Sequence, residues 1–196
     1  MGPLSGDYSG WSLGLFDFDN DRWKDLFTAN SHVDDEVERF VATKYKLPNS
    51  IFGNRGDGTF EDVSKSAGPD FQVPRAHRGA AFADFNLDGK IDVVVTVLGE
   101  LPELWENVTP GGNNWLILKL TGTKSNRDGI GAQIRIGDQS NHMTSAVGYA
   151  SSSHFGVHFG TGQFKIVPSI QIRWPSGAIQ VLKQVPTNQV LNVKEP

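Results

Sequence analysis

Leu15-Phe16-Asp17-Phe18-Asp19-Asn20-Asp21-Arg22-Trp23-Lys24-Asp25 returns 67 residues later (17 to 84) as Phe82-Ala83-Asp84-Phe85-Asn86-Leu87-Asp88-Gly89-Lys90-Ile91-Asp92. Both runs fit D-x-[D/N]-x-D-x-x-x-D. In each, a β-prone run enters an acidic loop and another leaves it, so each copy reads strand, loop, strand. A supersecondary unit repeated at fixed spacing marks an array of small stacked units.

The spacing also carries chemistry. Side-chain oxygens at positions 1, 3 and 5 converge when the backbone curls, a carboxylate at position 9 closes the shell, and the carbonyl of position 7 adds another oxygen. The expected ligands are Asp17, Asp19, Asp21, Trp23 and Asp25 in the first loop and Asp84, Asn86, Asp88, Lys90 and Asp92 in the second. A hard, all-oxygen shell of about six or seven ligands suits calcium better than magnesium, which demands a tighter octahedron. Two Ca2+ sites are therefore expected. An EF-hand would need a bidentate Glu at position 12; Thr28 and Val95 stand there, and Asp92-Val93-Val94-Val95-Thr96-Val97 is strongly β-forming. Clustered Asp and Asn also make ordinary polar turns. Their recurrence at equivalent places in a repeat favours the metal. Position 6 is Gly89 in the second loop, which suits a left-handed backbone. In the first it is Arg22, at a cost on the order of 1 kcal/mol if that conformation is adopted.

Outward from the loops, β-rich runs alternate with turns. Strands are expected at 11–18, 25–29, 50–53, 79–84, 91–98, 114–120, 132–137, 169–174 and 178–182, with hairpin turns at Gly56-Asp57-Gly58 and Pro175-Ser176-Gly177. One helix is expected over 34–46, where Val37, Phe40, Val41 and Tyr45 fall at helical spacing behind an acidic first turn, as an insertion covering core. Composition shifts near Asn107–Gly112, giving an expected division into about 1–108 and 113–196.

The first loop and Asp25-Leu26-Phe27-Thr28-Ala29-Asn30 together resemble an FG-GAP/VCBS repeat, the blade unit of integrin-like β-propellers. Ile51-Phe52-Gly53-Asn54-Arg55-Gly56-Asp57-Gly58-Thr59-Phe60-Glu61-Asp62-Val63 is similar to the second half of such a blade. A second blade begins near His77-Arg78-Gly79-Ala80 and ends early, at Glu103–Asn107. Downstream, Asn114-Trp115-Leu116, the run Gly122–Ala132, His158-Phe159-Gly160 and Ile172-Arg173-Trp174-Pro175-Ser176-Gly177 resemble the ASPIC/UnbV domain, which commonly follows such repeats in secreted or surface proteins. The stretch 137–153 is short for that domain. The resemblances imply an all-β fold: a partial β-propeller of about two blades with one helical insertion, then a sandwich-like or barrel-like C-terminal domain. A propeller closes with about four to eight blades, so the chain is expected to be the C-terminal part of a longer protein, or to self-associate through its open edges.

Bulk properties exclude several classes. A net charge of −4 gives no reason to expect nucleic acid. There is no cysteine, hence no thiol catalysis, disulfide or zinc–thiolate site. No apolar run approaches the roughly 18 residues of a membrane span. Met1–Gly6 has no basic or apolar signal-peptide region and reads as a loop or a point where a longer chain was cut. Arg55-Gly56-Asp57 lies in a turn the blade needs anyway. Asn107-Val108-Thr109 is a glycosylation sequon only in a eukaryotic secretory pathway. His154 and His158 could be paired zinc ligands, Ser151–Ser153 with His154 a nucleophile and base, and Trp115, Trp174 and Tyr149 a sugar-stacking platform. Each has a plainer reading as turn or packing.

The expected function is a non-enzymatic, calcium-stabilised, secreted, periplasmic or cell-surface interaction or adhesion module with a protein or glycan partner. The alternatives are a carbohydrate-binding module and an accessory factor or enzyme of a natural-product pathway.

Overall fold

The computed structural model describes residues 8–153 and 155–196. The opening run Met1–Gly6 and His154, with the zinc and nucleophile readings that need it, lie outside the described residues. The architecture is all-β, as expected. β1 (Gly10–Phe16), β2 (Asp25–Asn30), β3 (Ser50–Asn54) and β4 (Phe60–Asp62) form an antiparallel sheet in that order. β5 (His77–Ala83), β6 (Asp92–Val97) and β7 (Glu103–Trp105) repeat its first three strands in order β5-β6-β7. The remaining strands are β8 (Asn114–Thr121), β9 (Gln133–Ile136), β10 (Gln139–His142), β11 (Val157–Gly162), β12 (Ile166–Arg173), β13 (Ile179–Pro186) and β14 (Gln189–Lys194). They make two further sheets, β11-β8-β14 and β10-β9-β12-β13. β14 runs parallel to β8, with Gln189 opposite Leu116 and Lys194 opposite Thr121.

The first two sheets pack as propeller blades do. Side chains alternate along β1: Ser12 and Gly14 are buried against the second sheet, whereas Leu13 and Leu15 point the other way and are half exposed. Gly14 is what lets the sheets approach, because a Cβ there would lie 2.4 Å from the Phe82 ring. Phe82 stacks on Phe16 at 4.8 Å and meets Phe27 edge-on at 5.7 Å; Phe71 joins Phe27 to Trp105. Ile91, Val93 and Val95 complete this core.

The other two sheets enclose a separate core, with Leu116, Leu118, Ile134, Phe159, Ile170, Ile172 and Trp174 between them. This is the sandwich alternative of the expectation. Trp174 is 1% exposed and donates its indole N–H to Gln180. Tyr149 sits edge-on to Trp11, while Trp115 lies on Gly89, so the three expected platform aromatics do not share a face.

The helix expected over 34–46 is not formed. A single 3-10 turn, Val37–Arg39, stands there. Helical periodicity stabilises little unless its apolar face is buried; Val37 is buried and Tyr45 is half-buried beside Arg78, but Phe40 and Val41 remain 74% and 56% exposed. Asp34 spends its carboxylate on the backbone N–H of Glu36 two residues on. Strands beyond the expected set are β4, β7, β10 and β14, while β11 falls where the stretch 153–160 reads as β. The stretch after β10 is a loop that crosses to the blades: Val147 and Phe155 pack on their core, and Phe82 donates its backbone N–H to the Ser153 hydroxyl.

Candidate metal centre

Each acidic loop joins the first two strands of its sheet, β1 to β2 and β5 to β6. The local geometry is the same in both. Asp17 accepts the backbone N–H groups of Asp21 and Arg22; Asp84 accepts those of Asp88 and Gly89. Position 3, Asp19 or Asn86, accepts the N–H of position 5, and position 5, Asp21 or Asp88, accepts that of position 7. Position 9 reaches backward and sideways: Asp25 accepts the N–H of Phe18 and of Asn54, and Asp92 those of Phe85 and Asn107. These bonds curl the backbone so that the carboxylates turn inward.

The curl requires left-handed residues. Position 6 has φ 88° at Arg22 and 86° at Gly89, and position 4 has φ 61° at Asn20 and 63° at Leu87. Arg22 therefore adopts the strained conformation expected of it. Its guanidinium pairs with Asp138 and stacks 5.4 Å over Phe164, which offsets part of the cost.

In the first loop Asp17, Asp19 and Asp21 bring one carboxylate oxygen each within 4.8 Å of the others. Asp25 is not in that set. Both of its oxygens already accept a backbone N–H, though each keeps a lone pair. In the second loop Asn86 replaces one carboxylate, and Asp84, Asp88 and Asp92 make no such acidic triad. Three convergent carboxylates, with Lys24 as the cation that interacts with Asp17, are an unstable donor set. Burial, with the neighbouring Asp21, Asp19 and Asp25 charges adding to it, pushes Asp17 up to about 8. Burial raises Asp25 to about 6, and raises Asp21 and Asp84 as well. A hard cation fits this set, since it brings further positive charge to oxygens that backbone N–H groups have already aimed.

The cause of the burial lies in the C-terminal sandwich, a contact that the motif alone did not reveal. β11 crosses over the first loop so closely that a Cβ on Gly160 would sit 1.9 Å from an Asp17 oxygen. The second loop meets Trp115, whose indole leaves no room for a Cβ on Gly89. Gly162 donates its N–H to the Asn20 carbonyl, and Asn113 its amide to that of Asp19. His158 is buried, donates Nε2–H to the Gly89 carbonyl at 3.3 Å, and has its pKa lowered by burial to about 4. It is thus a neutral packing residue. Asp19, Asp88 and Asn86 stay exposed, leaving each loop open to solvent on one side.

Glu195 is a second polar centre that sequence reading missed. Its carboxylate accepts the backbone N–H groups of Thr123, Lys124 and Ser125 and the hydroxyls of Ser125 and Ser176. It therefore ties the run 122–132 to the Pro175–Gly177 turn, two stretches singled out separately in the sequence.

A cleft of about 330 Å3 opens beside the first loop, with Leu13, Leu15, Lys24, Asn141 and His158 among its lining. Arg55 and Asp57 are engaged inside their own hairpin, with Glu61 and Thr59.

The family model of the FG-GAP-like repeat matches residues 17–95, and that of ASPIC and UnbV matches 122–196. Among curated proteins the chain is similar to cartilage acidic protein 1. The human protein is 60% identical over 48 residues, 24% of this chain and 7% of that protein. The mouse protein is 56% identical over 101 residues, 48% of this chain and 15% of that protein. The chain thus corresponds to a small part of the relatives it matches. Among the described residues, no helix is long and apolar enough to cross a membrane.

Proposed function

We propose that this chain, an FG-GAP-like repeat followed by an ASPIC and UnbV domain, is a non-enzymatic interaction module whose scaffold is held by calcium. The observation that carries this reading is the first loop, where one carboxylate oxygen each of Asp17, Asp19 and Asp21 converges within 4.8 Å. The ligands would be Asp17, Asp19, Asp21, the Trp23 carbonyl and Asp25, and in the second loop Asp84, Asn86, Asp88, the Lys90 carbonyl and Asp92. Calcium supplies charge neutralisation and cross-linking of the turn. The residues supply preorganised oxygens through the bonds described above. Extracellular modules bind calcium at about 10⁻⁴ to 10⁻³ M, which suits a calcium-rich setting outside the cell. The cartilage in the relatives' name agrees with that setting.

Leu13 and Leu15, which line the cleft beside the first loop, and Leu104 on the second sheet are apolar residues left half or more exposed. We read the exposed face at Leu104 as a contact for a further blade or a second copy. The division of the chain near 108–113 belongs to the same reading: repeats before it, the sandwich after it.

The test is thermal unfolding with EDTA and with millimolar calcium. EDTA lowers Tm, and calcium, but not an equal concentration of magnesium, restores it. An EDTA-insensitive melt with no calcium binding by calorimetry would rule out the metal assignment.

A further inference from the structure

The carbonyl of Gly89 receives two donors from distant parts of the chain. Asn20, between Asp19 and Asp21 of the first loop, donates its side-chain amide at 3.2 Å. His158 of β11 donates Nε2–H at 3.3 Å. The same peptide unit, Gly89–Lys90, gives its N–H to Asp88 in the second loop. One peptide plane is therefore held by the second loop on one side and by the first loop and the sandwich on the other. The remaining contacts make this junction stiff. Gly89 has no room for a Cβ beneath Trp115, and Gly160 has none against Asp17 and the Asn20 backbone. Asn20 and His158 are 4% exposed, so water does not compete for these bonds. The equivalent of Asn20 in the second loop is Leu87, which is 71% exposed and reaches nothing comparable.

Resting on the calcium reading above, we propose that Asn20 and His158 couple the two loops. A cation that orders Asp88 and the Lys90 carbonyl fixes the plane of the Gly89–Lys90 peptide. That plane offers its carbonyl to Asn20, and Asn20 sits between two ligands of the first loop. Binding in either loop thus prepays ordering that the other needs, and the seated sandwich shares in it through His158. Such coupling is reciprocal by thermodynamic necessity.

The experiment is calorimetric titration with calcium on the full chain and on two single-loop variants: Asp19→Ala with Asp21→Ala, and Asn86→Ala with Asp88→Ala. The product of the two association constants of the unaltered chain should exceed the product of the single-loop constants by about fivefold or more, the lower end of typical coupling. Repeating the set in an Asn20→Gly background, which keeps the left-handed backbone while deleting the amide, should bring that ratio to one. His158→Leu, which leaves the Asn20 bond in place, should lower the ratio without abolishing it, whereas His158→Gln, which retains an N–H donor, should preserve it; this pair serves if Asn20→Gly does not fold. Two bound calcium ions with a ratio of one in the unaltered chain would overturn the coupling and leave the metal reading intact. No calcium binding at all would overturn both.

Discussion

At the scale of single residues, the two loops use one backbone path with different side chains. Gly89 is required twice over, by its φ of 86° and by the Trp115 indole. Gly89→Ala should therefore cost about 3 kcal/mol in urea unfolding, from left-handed strain plus overpacking. Arg22→Gly should stay within about 1 kcal/mol, because relief of strain offsets loss of a half-exposed ion pair. Charge at the same loops sets a pH dependence. Asp17 is raised from 3.8 to about 8 and Asp25 to about 6, so the metal-free fold binds their protons more tightly than the unfolded chain. Their stabilisation is full below pH 3.8 and is lost as pH rises through those values. His158 has the opposite sign: lowered from 6.5 to about 4, it contributes fully above pH 6.5 and loses that contribution as pH falls through about 4. Between pH 6.5 and 8 the carboxylates dominate. Tm in EDTA should fall across that window, and calcium, which binds the ionised carboxylates, should flatten the fall. A flat profile in EDTA would contradict the assignment.

At the scale of elements, the contact between β1 and β5 decides whether two blades make one body. Phe82 touches Phe16 and Phe27 and fills the space left by Gly14. Phe82→Ala should destabilise the fold by about 3–5 kcal/mol, read from chemical denaturation. Both blades should unfold together, since the aromatic cluster is common to them. The strands on which this rests were legible in the sequence, because two-residue alternation and the 67-residue repeat (17 to 84) survive in the structure. So was the left-handed residue at position 6. β10 was not legible: Gln139-Ser140-Asn141-His142 is polar throughout and shows no alternation. The helix failed because periodicity records which residues could share a face, not whether a surface exists to bury them. Asn20 and His158 were invisible as junction residues because their partner, the Gly89 carbonyl, is 69 residues away from each and is backbone. No side-chain pattern reports a backbone acceptor.

At the scale of the whole molecule, the sandwich is fastened at both ends of its core. One end rests on the acidic loops, and the other is the Glu195 clamp. Glu195 is held well below the usual carboxylate range: burial opposes this, but the N–H groups of Ser125 and Thr123 and the hydroxyls of Ser176 and Ser125 outweigh it. Its contribution is present above its unfolded value of 4.5 and is lost as pH falls toward the lowered one. Glu195→Gln, which turns an amide donor toward a cluster of donors, should lower Tm at neutral pH and flatten the acid limb of the stability profile. An unchanged acid limb would show that the clamp is not what titrates. The parallel pairing of β14 with β8 has a consequence in time. A sandwich sheet that joins Gln189 to Leu116 cannot be finished during synthesis until the later strand has left the ribosome. The blades, whose strands pair with near neighbours in sequence, can form before it. Non-local parallel pairing is also intrinsically slow. The freshly made blades therefore wait with their acidic loops uncovered, and the calcium proposed for the first loop would have its freest access to Asp17 before the sandwich settles over it.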